Sequence, residues 1–127
     1  MAGRKTIVDG VKFHSKLEAE HYKHMKDLKH VKIIELQPVF ELIESFKYFN
    51  IDRDKTSTYR NMIYTADFLV EIDGVDKPVV VESKGYQRSD YMMRKKLFIN
   101  KYHEDYHFIQ LNNLKECREF FDRYKEE

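Results

Sequence analysis

The chain has 127 residues, 42% of them apolar and 35% charged, which suits one domain with a buried core and is too short for two. Its formal net charge of +1 gives no global signature of a nucleic-acid binder, and its single cysteine, Cys117, excludes an internal disulfide and a cysteine-built zinc site. No apolar run approaches the ~20 residues of a membrane span, and the first ten residues lack the apolar centre of a signal peptide, so a reducing, cytosolic setting is expected.

Taken in chain order, Thr6 to Phe13 reads as a short hairpin around an Asp9-Gly10 turn. Ser15-Lys16-Leu17-Glu18 has the form of a capping box, which starts a helix expected to reach about Lys29 with Leu17, Tyr22, Met25 and Leu28 as its apolar stripe. Three strand candidates follow. Residues 33–43 form the first, with Pro38 marking an edge or bulge; residues 61–72 form the second, after a polar loop around 50–60. The third is 79–84, led in by Asp73-Gly74 and Pro78. Ser89 or Asp90 can cap a second helix ending near Lys101, 106–111 is a fourth strand, and Asn112 or Asn113 caps a last helix to about Arg123. The order is helix, three strands, helix, strand, helix. It describes a single α/β domain over 1–127, a mixed sheet flanked by helices; no repeat or Pro/Gly-rich linker divides it.

The second and third strands are close enough in sequence to form an antiparallel hairpin. With Gly74 and Val75 at its tip, opposed residues have numbers summing to 149, so Asp67 faces Glu82 at a Cβ separation of ~5 Å. Lys84 lies two residues beyond Glu82, and period-2 alternation puts it on the same face. An isolated Glu-x-Lys is more often a surface pair than a catalytic one. Here, however, Val79-Val80-Val81 and Ala66, Phe68, Leu69 and Val70 mark buried strands, where charge is expensive unless paired or metal-bound. Two such carboxylates repel unless a cation or proton intervenes, and a hard divalent ion such as Mg²⁺ suits them. Lys84 would orient a water or offset charge on a phosphate, and a backbone carbonyl such as that of Ser83 would add an oxygen ligand.

Tyr64-Thr65-Ala66-Asp67-Phe68 followed by Val79-Val80-Val81-Glu82-Ser83-Lys84-Gly85 resembles the metal-binding signature of the PD-(D/E)XK nucleases. With Phe13 to Glu20, Leu36-Gln37-Pro38 and Lys95-Lys96-Leu97-Phe98, the chain is similar to a family of small phage-encoded endonucleases, in order over about Thr6 to Leu111. The resemblance implies a restriction-endonuclease-like core of order α-β-β-β-α-β-α. It makes Asp67 and Glu82 metal ligands for Mg²⁺ or Mn²⁺, with Ser83 beside them, and Lys84 the catalytic lysine. Glu18 matches an acid that many of these nucleases place on the first helix, but it also stands third in the capping box, and both readings remain open. Glu20 lies some 200° further round that helix, at ~100° per residue, and is read as solvated. Ala66 stands where the motif has proline.

From Lys84 to Lys101 six cations stand against one acid, Asp90. A charge run is ordinarily a solvated helix face, yet a local field of this kind can hold phosphates. Arg88, Arg94, Lys95 and Lys96, with Arg53, Lys55 and Arg60 of the polar loop, are the candidate DNA-backbone contacts. His21 and His24 lack the partner pattern of a zinc site and are read as surface or DNA-facing. Tyr59, Tyr64, Tyr86 and Tyr91 could stack on unpaired bases, although core packing accounts for most tyrosines, and Cys117 is read as packing. The expected function is hydrolysis of DNA, structure-selective for branched substrates such as Holliday junctions, in a host-cell cytoplasm and without a membrane partner. A homodimer would supply the two active sites that two cuts need. The alternatives are a non-catalytic DNA-binding accessory protein of the same fold and a ribonuclease.

Overall fold

Asp9 and Gly10 both take positive φ (52° and 77°), the combination a type I′ turn requires, and Thr6–Val8 (β1) and Val11–Phe13 (β2) close around them as an antiparallel pair. In the computed structural model, which describes residues 6–84 and 88–125, Ser15 is extended and its hydroxyl accepts the Glu18 N–H at 3.1 Å, starting helix α1 at Lys16–Lys26. The helix ends at the Asp27 cap, short of the expected Lys29. Its buried positions are Glu18, Ala19, His21 and Met25. Leu17, Tyr22 and Leu28 of the expected stripe are only half-buried, because the inward face carries polar groups that an apolar pattern cannot reveal.

The expected first strand is two strands, Val31–Leu36 (β3) and Val39–Ile43 (β4), and the expected second is also two, Met62–Thr65 (β7) and Phe68–Ile72 (β8). The two breaks lie opposite each other. Gln37 has a φ of 52°, Pro38 has no N–H to donate, and across from them Ala66 and Asp67 leave the ladder. Main-chain bonds from Gln37 N–H to Asp67 O (2.9 Å) and from Ala66 N–H to Pro38 O (3.0 Å) pin this shared kink. Beyond it β4 and β7 pair with each other, outside the central sheet.

The region expected as a polar loop is a hairpin, Phe46–Asn50 (β5) paired with Lys55–Tyr59 (β6). It escapes sequence reading because nearly all its residues are solvent-exposed, which removes the apolar alternation that marks a half-buried strand. After β8 come Val79–Ser83 (β9), helix α2 at Ser89–Tyr102, His107–Leu111 (β10) and helix α3 at Leu114–Asp122. Helix α2 is capped by the extended backbone of Arg88 and not by Ser89 or Asp90; Asp90 lies inside its first turn. Asn113 caps α3 as expected, its side chain accepting the Glu116 N–H at 2.8 Å.

The central sheet has the order β10-β9-β8-β3, with β9 and β10 parallel and the other neighbours antiparallel. The fold is therefore mixed α+β, with three helices and one mixed sheet among the described residues. Val79 and Val81 pack with Phe13, Met25, Phe68, Cys117 and Phe121, whereas Val80 packs with Leu69, Tyr64, Tyr91 and Phe98. Coverage of both faces explains why the valine run shows no alternation. Cys117 is a packing residue, its thiol pushed up to about 12 by burial. No described helix is long and apolar enough to cross a membrane.

Candidate active site

The shared kink delivers Asp67. The β8–β9 ladder pairs Phe68 with Val81, Leu69 with Val80 and Val70 with Val79, numbers that sum to 149 as expected. Asp67 stands one residue outside that ladder. Its N–H donates to Val81 O at 3.2 Å, and its carboxylate Oδ2 accepts the Ser83 N–H at 2.7 Å. The expected direct cross-strand pairing with Glu82 is thus replaced by a bond to the neighbouring residue's amide, because the kink turns the chain at that level.

Glu82 is 5% exposed, on the same side of β9 as Val80, and its Oε1 accepts the Tyr64 hydroxyl in a short bond. Lys84 follows on that side, as alternation requires: its Nζ is 3.9 Å from Glu82 Oε2 and 4.7 Å above the centre of the Tyr91 ring. The Lys84 N–H donates to Leu111 O (3.0 Å), which extends the β9–β10 pairing and fixes the lysine's backbone. Tyr91 in turn donates to Gln110 Oε1 at 2.7 Å. Glu82, Lys84, Tyr64 and Tyr91 border a cleft of about 340 Å³ that Thr65, Asp90 and Arg94 also line.

A third acid faces the pair from α1. Glu18 is 2% exposed, and its carboxylate accepts a long bond from Gln37 Nε2 at 3.4 Å. Burial pushes the Asp67 carboxyl well above the usual carboxylate range; the charges of Glu82 and Glu18 push it further, against the Ser83 N–H. Burial also raises Glu82, opposed by the Tyr64 hydroxyl and the Lys84 ammonium, with Glu18 adding to the rise. Tyr64 and Tyr91 are held neutral, mainly by burial and then by Glu82. The site is short of positive charge. Among the described residues no three Asp, Glu, His or Cys side chains gather closely enough to form a complete metal cage. What the site offers is a carboxylate pair, with the Ser83 main-chain carbonyl next to it, leaving further positions to water and substrate. Mg²⁺ accepts such partial protein shells.

The chain matches the family model described as "Protein of unknown function (DUF1064)" over residues 1–117. It belongs to that family. The match takes in Glu18, Asp67, Glu82 and Lys84, and so every acid and the lysine of this site. No curated protein and no solved structure matches the chain.

The remaining sequence candidates separate by position. Arg94 donates to the Ile63 carbonyl at the cleft, and Lys95 reaches Gln110 Oε1 (3.2 Å) behind it, over the Phe108 ring. Arg88 and Lys96 are exposed on α2 and its cap; Arg53, Lys55 and Arg60 are exposed at the β5–β6 hairpin, away from the acids. Tyr64 and Tyr91 are buried against the site and cannot stack on bases, whereas Tyr59 is exposed on the hairpin. Tyr86 and Gly85 lie outside the described residues.

The reading of His21 as a surface residue is overturned. It is fully buried where α1, β9 and α3 meet, with Nε2 2.9 Å from the Asn113 carbonyl and Nδ1 2.6 Å from Ser83 Oγ. The carbonyl can only accept, so Nε2–H donates to it. Burial holds the imidazole below its ordinary pKa and hence neutral, which leaves Nδ1 to accept the Ser83 hydroxyl. His24 is half-buried and also held low by burial, and His30 is buried against the Phe121 carbonyl at 2.8 Å. The buried polar links of His21 and His30 have no periodic signature. His21→Leu should strand the Ser83 hydroxyl and the Asn113 carbonyl together, lowering stability by about 2–4 kcal/mol in urea denaturation. An unchanged denaturation midpoint would mean that the links carry no stability.

Proposed function

We propose that the protein is a metal-dependent DNA endonuclease of the PD-(D/E)XK type. The observation that carries this is the buried Asp67–Glu82 pair, both raised by burial and Asp67 further by the charge of Glu82, with the Lys84 ammonium 3.9 Å from Glu82 where both line an open cleft. The topology supports it. Setting aside β1–β2 and the β4–β7 excursion leaves α1, β3, β8, β9, α2, β10 and α3, the α-β-β-β-α-β-α order of a restriction-endonuclease-like core.

In this reading Asp67 and Glu82 hold Mg²⁺ or Mn²⁺ with help from the Ser83 carbonyl, and the ion supplies Lewis acidity and a bound water of lowered pKa. The Tyr64 hydroxyl and the Ser83 N–H fix one oxygen of each carboxylate, and the other Glu82 oxygen faces the Lys84 ammonium at 3.9 Å. The Lys84 ammonium, steadied over Tyr91, offsets negative charge that develops on the phosphate during water attack. Glu18 deepens the negative field at both acids and sets the orientation of Gln37; this favours its role as a site acid over that of a cap. Branched DNA such as a four-way junction is the proposed substrate, cut by two sites of a homodimer in a host cytoplasm.

One assay tests the reading: linear duplex, four-way junction, single-stranded DNA and RNA, each incubated with Mg²⁺ and with Mn²⁺. Metal-dependent cuts in DNA are expected, most efficiently in the junction; cuts confined to RNA would shift the substrate, and no cut anywhere would remove the activity. Arg88 and Lys96 are exposed cations outside the acid cluster, so they serve backbone attraction. Replacing both with alanine should weaken DNA binding equally across sequences and reduce the slope of log K against log salt by up to ~2. A loss confined to one sequence would contradict a backbone role.

A further inference from the structure

Strands β5 and β6 pair with each other and have no substantial packing against any other described helix or strand. A lone two-stranded hairpin is marginal in water, so its own side chains must hold it. Phe46 stacks on Tyr59 with ring centres 5.2 Å apart and planes 9° from parallel, and Tyr48 meets the same ring edge-on at 6.4 Å. The Tyr59 hydroxyl donates to Asn50 Oδ1 at 2.9 Å, and Asn50 Nδ2 donates to Ser57 Oγ at 2.9 Å. Asn50 is 6% exposed, yet Phe46 and Tyr48 remain 50% and 58% exposed. Cross-strand pairing explains how the hairpin folds; it does not explain why rigid aromatic rings are left facing water.

The charge around them points to an occupant. Lys47, Arg53, Lys55 and Arg60 stand in or beside the hairpin against Asp52 and Asp54, and Arg53 also donates to Asn50 Oδ1 at 3.5 Å. Flat rings held against Tyr59, whose hydroxyl is itself anchored on Asn50, and bordered by cations and by polar Asn50 and Ser57, match bases and phosphates better than the apolar centre of a protein interface. We propose that the β5–β6 hairpin is a nucleic-acid-binding arm, with Tyr48 and Phe46 stacking on unpaired DNA bases and Arg53 and Lys55 meeting the adjoining phosphates. The arm rests on the endonuclease reading and deepens it. Strand β6 leads into β7, whose Ile63 and Thr65 line the cleft, so at most about six residues at ~3.3 Å each, or ~20 Å of chain, separate Tyr59 from it. Stacking there selects DNA with unpaired strands and leaves the chemical step alone.

The test uses the full chain in EDTA and fluorescence anisotropy with three probes: a blunt duplex, the same duplex carrying a single-stranded tail, and the tail alone. Tyr48→Ala should weaken binding of the tailed and single-stranded probes about 5- to 100-fold, leave the blunt duplex within about twofold, and be rescued by Tyr48→Phe, which keeps the ring. Because alanine could loosen the hairpin, a second measurement uses the unaltered protein: 5-iodouracil in the tail should photocrosslink to Tyr48, Phe46 or Tyr59. Equal loss on all three probes, or crosslinks only outside the hairpin, would overturn the arm while leaving the endonuclease intact. A parent dimer that Tyr48→Ala converts to monomers would also overturn it, giving the face to a second copy. A parent chain that binds no DNA probe would overturn the arm, while the endonuclease reading stands or falls on metal-dependent cleavage.

Discussion

Lys84→Ala should lower the single-turnover rate of DNA cleavage by about 10²–10³, on the order of 3–4 kcal/mol of transition-state stabilisation, with little change in folding or metal affinity. The expectation follows from where the side chain sits. The backbone of Lys84 is held by the Leu111 carbonyl, and the neighbouring core is filled by Val79, Val80 and Val81, so removing the side chain opens no core cavity. Its ammonium is the cation nearest to Glu82 in the ion pairs of the site, at 3.9 Å, and it lines the open cleft. Some loss of stability comes from leaving Glu82 without its cation, but Lys84 is itself partly exposed, which keeps that loss to about 1 kcal/mol. A thermal melt of the same preparation separates the two effects. A variant that melts normally and cuts at the parent rate would remove Lys84 from the chemistry.

Asp67→Asn should have two effects of opposite sign. With metal present, cleavage should fall below detection and Mg²⁺ or Mn²⁺ affinity should drop by at least ~10–100-fold, the loss that outer partners of metal ligands already cause. Without metal the variant should be more stable than the parent near neutral pH. Asparagine keeps an oxygen for the Ser83 N–H, while one of the charges that burial and Glu82 penalise is gone. The sign with pH follows from linkage. The folded pKa values of Asp67 and Glu82 are raised above their unfolded values, so the parent's folded state binds protons more tightly and loses stability as pH rises through those raised values. The advantage of Asp67→Asn in EDTA should therefore grow from near zero at about pH 4 to its full size above the pair's titration. His21 and His24, both held low by burial, act the other way below neutrality, but they are common to both proteins and cancel in the difference. A variant less stable than the parent in EDTA at pH 8 would mean that the acids do not repel, and the case for a cation between them would fail.

What the sequence makes legible here is whatever local chemistry decides. Asp9-Gly10 closes a hairpin, Ser15 and Asn113 cap helices, and the short β8–β9 connection sets a register in which numbers sum to 149; each depends on a few neighbouring residues. That register, with period-2 alternation, was enough to gather Asp67, Glu82 and Lys84. The kink at Gln37-Pro38 and Ala66-Asp67 is a tertiary event. Pro38 signals an interruption, but only the facing strand shows that two long strands break at one level and turn Asp67 out of the ladder. The β5–β6 hairpin has water on both faces and hence no pattern to read. Tyr64 on Glu82 and His21 on Ser83 are buried polar contacts between segments apart in sequence, and their only sequence trace is a polar residue among apolar neighbours.

The most direct test of the central claim is single-turnover cleavage of a four-way DNA junction in Mg²⁺ by the parent chain, beside Glu82→Gln purified in the same way. Glutamine keeps the shape of Glu82 and an oxygen for the Tyr64 hydroxyl while removing the charge that would hold the ion. Cleavage by the parent, abolished by EDTA and lost in Glu82→Gln, is the predicted result. Equal cleavage by the two proteins, or none by the parent with either Mg²⁺ or Mn²⁺, would contradict it.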